Sequence, residues 1–178
     1  MPEDPRDPHQ HRPDDLVVRS ARTADVRSIR ALVSPLAARR VLLNKEAVAY
    51  YESVTDFVVA ETAGRIVGCG ALHVLWEDLG EVRTLAVAED ALGRGVGSAV
   101  LERLVERARD LGLSRLFCLT FETAFFGHHG FEPIDGQAVD PEVYAELLRS
   151  YDEGVAEFLD LERVKPNTLG NTRMLRVL

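Results

Sequence analysis

Residues 80–112 read GEVRTLAVAEDALGRGVGSAVLERLVERARDLG, and the fold turns on this stretch. Glu81–Ala88 carries a strand-like apolar run at Leu85, Ala86 and Val87. Leu92–Ser98 is a glycine-rich turn containing Gly93, Gly95 and Gly97. Val100, Leu101, Leu104, Val105, Ala108 and Leu111 then recur at helical spacing. A strand, a glycine turn and a helix together suit an anion. The first N–H groups of a helix lack intrahelical acceptors, and the helix dipole adds partial positive charge there. Glycine lets a phosphate approach the main chain because no Cβ intervenes. Two motifs with this layout fit poorly. No Lys follows the turn, which argues against a P-loop and magnesium-nucleotide chemistry. Ala88–Leu92 separate the strand from the glycines, and Ser98 stands at the third glycine position of a dinucleotide fingerprint. An ordinary strand-to-helix connection is the plain alternative.

Composition narrows the class. The 178 residues suffice for one domain with a sizeable core. Hydrophobic content of 46% with 28% charge fits a globular protein in water, and no apolar run is long enough for a membrane helix. No apolar leader segment is evident, so a cytoplasmic address is expected. The net charge of −8 argues against nucleic acid as a partner and makes any interior cation informative. Cys69 and Cys118 sit in strand-like runs without metal-ligand spacing, so buried reduced thiols and no metal are expected.

The rest of the chain falls into order around the central stretch. Residues 1–15 hold four of the eight prolines and almost nothing apolar, which predicts a disordered tail ahead of a domain over 16–178. His9 and His11 read as solvated within it. Leu16–Ser20 is a strand; Thr23 caps a helix with Val26, Ile29, Leu32 and Val33 on its apolar face, ended by Pro35. A basic loop over 39–45 leads to a second helix, capped by Asn44 and running to Val54. Phe57–Glu61 and Ile66–Val74 are strands joined at Ala63-Gly64. After the central unit come a strand at Arg115–Thr120, a short helix at Thr123–His129, a strand at Phe131–Ile134 and a helix at Pro141–Tyr151. Ala156–Leu161 reads as a strand, 165–171 as a polar loop and Arg173–Leu178 as a last strand.

This order resembles the GNAT acetyltransferases. Leu92-x-x-Gly95-x-Gly97 is similar to their pyrophosphate-binding turn, with Leu92 in place of the usual Gln or Arg. Ala124-Phe125-Phe126-Gly127-His128-His129-Gly130-Phe131 resembles the family's closing motif, with Phe126 where tyrosine is usual. The resemblance implies an α/β (α+β) fold: a mixed, mostly antiparallel sheet of about six or seven strands flanked by helices. A narrower likeness is to the acetyltransferase domain of bacterial N-acetylglutamate synthases. It rests on Pro35-Leu36 with the basic loop, Gly80-Glu81, residues 114–120, Gly130-Phe131-Glu132-Pro133 and the basic final strand. The amino-acid kinase domain usual in that family is not expected ahead of these segments. The expectation is a short stand-alone form, as a first enzyme of arginine biosynthesis would be. Paired GNAT domains are common, so a homodimer is expected as well.

The resemblance implies a site. The main chain of Gly93, Arg94, Gly95, Val96, Gly97 and Ser98 would hold the pyrophosphate of acetyl-CoA, and Leu85, Ala86 and Val87 would pair with pantetheine as an added strand. Arg94 either adds a charged contact or is simply solvated. Phe126 would pack beside the pantetheine arm. Glu81 is the general-base candidate, since an ammonium must lose its proton before attack; its plain reading is an ion pair with Arg83, two residues along one strand face. Arg83 itself stands in an apolar strand and needs an anionic partner, for which a substrate carboxylate is suited. Arg40, Lys45 and Arg173 are further carboxylate candidates, each with a surface reading beside it. Phe126 has no proton to give the leaving thiolate; Cys118, Thr120, His128, water or no acid at all stand open. The function implied is acetylation of the α-amine of L-glutamate. Another amine acceptor and a non-catalytic acyl-CoA sensor are the alternatives.

Overall fold

The computed structural model describes residues 13, 15–42, 45–168 and 170–178. The expected tail at 1–12 and 14, including His9 and His11, lies outside these, as does Asn44. Asp15, counted in that tail, accepts hydrogen bonds from Thr62 Oγ1 at 2.5 Å and the Ala63 amide at 2.9 Å.

Among the described residues, seven strands form one mixed sheet: β1 (Val17–Ser20), β2 (Phe57–Thr62), β3 (Arg65–Val74), β4 (Leu79–Val87), β5 (Arg115–Thr120), β6 (Glu132–Pro133) and β7 (Thr172–Val177). Their order across the sheet is β1-β2-β3-β4-β5-β7-β6. The helices are α1 (Val26–Ala38), α2 (Ala47–Glu52), α3 (Val96–Asp110), α4 (Thr123–His128), α5 (Pro141–Leu147), α6 (Glu153–Phe158) and α7 (Lys165–Thr168). The expected GNAT-type sheet with flanking helices is therefore present. The backbone divides into two compact units, one up to Leu72 with Thr84–Arg107, the other His73–Arg83 with Ala108–Leu178.

In the first unit, β1, β2 and β3 pair antiparallel, with Val18 opposite Ala60 and Val59 opposite Cys69. Ala63 and Gly64 both take left-handed φ values, 48° and 74°, as a two-residue hairpin of twisted strands requires. Val26, Ile29 and Val33 of α1 bury against Tyr50, Phe57, Val59 and Ala71. Helix α3 rests on two glycines of β3: a Cβ on Gly68 would lie 2.7 Å from Val96 Cγ1, and one on Gly70 2.8 Å from Val100 Cγ1. Arg19 is bracketed by Asp25 at 2.7 Å and Glu61 at 2.8 Å.

In the second unit, Phe117 of β5 meets Phe158 of α6 edge-on at 4.9 Å, within a core of Leu75, Leu79, Leu147, Val155 and Leu159. β5 pairs antiparallel with β7 over its whole length but parallel with β4 at only three positions, ending at Glu81 opposite Phe117.

Several expected boundaries move. Ala156–Leu161 is not a strand: Glu153–Phe158 is helical, because the Asp152 carboxylate caps the Val155 amide and sets the chain into a turn. Pro35 lies inside α1, where it forfeits one hydrogen bond close to the helix end without stopping it. Thr23 opens a short 3-10 turn, and the carboxylate accepting the Arg22 amide at 2.7 Å is that of Asp25. α5 stops at Leu147, four of the seven residues expected as loop form α7, and Leu111 is exposed. α2 spans only Ala47–Glu52, and the strand after Phe131 shrinks to Glu132–Pro133. Cys69 and Cys118 are free and buried.

Candidate active site

The second unit holds the charged cluster. Glu81, at the third residue of β4, is 4% exposed. Its Oε2 accepts a hydrogen bond from Arg83 Nε at 2.8 Å. The Arg83 fork continues to Asp152, Nη1 donating to Oδ2 at 3.0 Å and Nη2 to Oδ1 at 2.7 Å. Asp152 Oδ1 also accepts the Val155 amide at 2.9 Å, and the Asp152 amide donates to Ser150 Oγ at 3.1 Å. The anionic partner that burial of Arg83 demands is thus supplied twice by the protein itself. A substrate carboxylate on Arg83 would have to displace one of these partners. Among the described residues no donor reaches Glu81 Oε1: one carboxylate oxygen is held and the other is open to a proton.

The electrostatics follow from this geometry. Burial disfavours the Arg83 charge, but Glu81 and Asp152 more than compensate and hold the guanidinium above its ordinary value. Burial also pulls the Asp152 carboxyl up; the Arg83 bonds and charge, helped by the Val155 amide, outweigh it and set the carboxyl at about 2. Arg173 of β7 differs. Its Nη1 and Nη2 reach only carbonyl oxygens, of Glu157 and Gly136, both at 3.3 Å, and its guanidinium lies 5.0 Å from the Phe117 ring centroid. Burial lowers its affinity for a proton, with Asp160 and Glu81 partly offsetting this. Among the described residues it forms no ion pair. A half-buried, unpaired guanidinium within the field of Glu81 is suited to an incoming carboxylate.

The candidates for the leaving group's proton fare unequally. Cys118 is buried, and burial together with the Glu81 charge pushes its thiol far above the usual range. Giving that proton to a thiolate with a pKa near ~8.5 is uphill. Thr120 Oγ1 accepts the Glu122 amide at 2.8 Å. His128 is exposed at the end of α4. Phe126 is buried between Phe125 and Phe131, each ring 5.2 Å away and nearly perpendicular.

The glycine turn belongs to the first unit. Gly93 and Gly95 both have φ of 72°, a conformation L-residues avoid. α3 begins at Val96, so Gly97 and Ser98 already lie in its first turn. Arg94 is exposed; Leu85 and Val87 are half-buried and Ala86 is buried. Thr84 has φ of 55°, an outlier for a β-branched residue. Strand alternation is broken there, just past the face that Glu81 and Arg83 share. Arg40, exposed with φ of 58°, and half-buried Lys45 also belong to the first unit, whereas the Glu81 cluster consists of second-unit residues. A cleft of about 730 Å³ in the first unit is bordered by Arg19, Asp25 and Glu61, whose charges are spent on one another. Among the described residues no cluster of His, Cys, Asp and Glu can hold a metal, and no helix is long and apolar enough to cross a membrane.

Sequence reasoning missed Asp152 and Gly154. The signal for Asp152 was a cap-type residue just before the apolar pair Val155-Ala156. Gly154 is buried, and a Cβ there would lie 2.6 Å from Arg83 Cζ and Nη2.

Sheet, glycine turn and buried glutamate define a class, and sequence comparison agrees: the chain belongs to the acetyltransferase (GNAT) family, whose model matches residues 43–131. A Mycobacterium tuberculosis protein named amino-acid acetyltransferase is 58% identical over 165 residues, covering 91% of this chain and 94% of that protein. The crystal structure of Rv2747 from Mycobacterium tuberculosis, solved in complex with CoA and NLQ, superposes with a TM-score of 0.89 at 57% identity, over 91% of this chain and 99% of that one. N-acetylglutamate synthase from Neisseria gonorrhoeae, complexed with coenzyme A and N-acetyl-glutamate, matches with a TM-score of 0.73 at 25% identity. That match takes in 92% of this chain but 35% of the longer synthase.

Proposed function

We propose that this chain transfers the acetyl group of acetyl-CoA to the α-amine of L-glutamate, the first step of arginine biosynthesis, in the cytoplasm and as a homodimer. The observation that carries the reading is Glu81: a buried carboxylate with one oxygen fixed by Arg83 and the other open. Such a group can take a proton from an ammonium, directly or through one water. The main-chain amides of residues 93–98 hold the donor's pyrophosphate, and the backbone of Leu85–Val87 aligns its pantetheine arm. Arg173 receives a substrate carboxylate, with Lys45 and Arg40 as further cations for the second. Arg83 holds Glu81 in place instead of binding substrate. The names of the relatives support an amino-acid acceptor, and the gonococcal synthase supports glutamate among amino acids.

Free-thiol release from acetyl-CoA, measured across a panel of amino acids and other amines, tests this. Fastest turnover on L-glutamate is expected. Faster turnover on another amino acid or on cationic amines moves the acceptor; CoA binding with no turnover on any amine makes the protein a sensor.

A further inference from the structure

Resting on the reading of Glu81 as the base, we infer that Asp152 and Gly154, at the start of α6, are positioning residues that keep one oxygen of Glu81 free. A guanidinium beside a buried carboxylate tends to grip it with two parallel N–H bonds. Here Arg83 offers Glu81 only its Nε, because both Nη atoms are committed to Asp152. Asp152 is itself locked as the cap of α6, accepting the Val155 amide at 2.9 Å. Gly154 leaves the space the fork occupies: an alanine Cβ there would lie 2.6 Å from Cζ and Nη2 and 3.0 Å from Asp152 Oδ1. Remove the Asp152 charge, or push the fork out of its seat, and Arg83 is released to turn onto both oxygens of Glu81. The base is then smothered although every atom of Glu81 remains. Three further groups face the cluster: His73 of β3, which favours the Asp152 carboxylate, Cys118 of β5 and Arg173 of β7. None of them supplies a second carboxylate to the fork.

The test measures two things on the full chain: the pH profile of kcat/KM for acetyl transfer, and the 13C titration of the Glu81 side-chain carboxyl by NMR, which needs no substrate. Asp152→Asn keeps a cap oxygen for α6 but loses the charge. It should move the acid-limb midpoint of the rate profile to lower pH and reduce the plateau by ~3–10-fold, with KM for acetyl-CoA unchanged. Asp152→Glu, which restores the charge, should return the midpoint toward wild type. Gly154→Ala should show the asparagine variant's signature while keeping the helical circular dichroism of wild type, so that fraying of α6 is excluded by measurement. A wild-type midpoint and plateau in Asp152→Asn, or a lower melting temperature alone in both variants, overturns the inference. Glu81→Gln separates this from the reading beneath it. If that variant still turns over normally at every pH, Glu81 is not the base; if it is dead while Asp152→Asn titrates like wild type, only the positioning role fails.

Discussion

Replacing Arg83 with methionine tests the cluster as a physical object, independent of any substrate. The side chain is nearly isosteric along its stem, so the core loses little packing. What goes is the cation between Glu81 and Asp152. The Glu81 side chain is 5% exposed, and Arg83 donates to it at 2.8 Å. The Asp152 side chain is 34% exposed and keeps the Val155 amide, so water can replace much of what it loses. Stripping one partner from a buried pair costs ~3–5 kcal/mol; with one of two carboxylates rescued by solvent, we expect the lower end, about 3 kcal/mol. Urea denaturation at neutral pH should show this as a lower midpoint with an unchanged slope. The deficit should shrink in acid, because protonating Glu81 removes the uncompensated charge. A loss under ~1 kcal/mol, or one that stays constant from neutral pH into acid, would mean that Glu81 is adequately solvated without Arg83, and the argument from burial would fail.

Three other outcomes follow from the structure. Gly95→Asp places an L-residue at φ 72° and a negative charge beside the phosphate amides. A charge of the wrong sign at a helix N-terminus costs up to ~2 kcal/mol against a bound phosphate, so CoA affinity measured by calorimetry should drop by about tenfold; an unchanged Kd would remove the turn from donor binding. Asp152 has a carboxyl set at about 2 against an ordinary 3.8. A carboxyl depressed in the folded state adds stability above its unfolded value that is lost as pH falls through the folded one, so stability should fall between about pH 4 and pH 2. Melting temperatures of Asp152→Asn should decline less steeply across that window, and parallel curves would contradict the assignment. Arg173→Ala should raise KM for glutamate by ~10–100-fold while leaving KM for acetyl-CoA alone, as loss of a charged hydrogen bond implies. Equal effects on both would make Arg173 architectural.

Much of the fold was legible because local signals agreed. The glycines at 93 and 95 demanded a left-handed turn, the Ala63-Gly64 pair marked its hairpin, and the apolar run of β5 announced an interior strand. The Glu81–Arg83 pair could be read from strand period alone. Asp152 could not be assigned to them: it lies 69 residues from Arg83, and no local pattern records a tertiary ion pair. The same region hid α6, because Val155, Ala156, Phe158, Leu159 and Leu161 suit either a short buried strand or a helical stripe, and only the cap at Asp152 decides. The left-handed Thr84 was likewise unreadable. A β-branched residue in an apolar run promises regular strand, and the irregularity there is imposed by tertiary structure.

The most direct test is a crystal structure of the chain with CoA and L-glutamate. The substrate amine should lie within hydrogen-bond reach of Glu81 Oε1, directly or through one water, with a substrate carboxylate on Arg173 and Arg83 still shared between Glu81 and Asp152. An amine bound away from Glu81, with Oε1 facing no substrate atom or bridging water, would contradict this expectation.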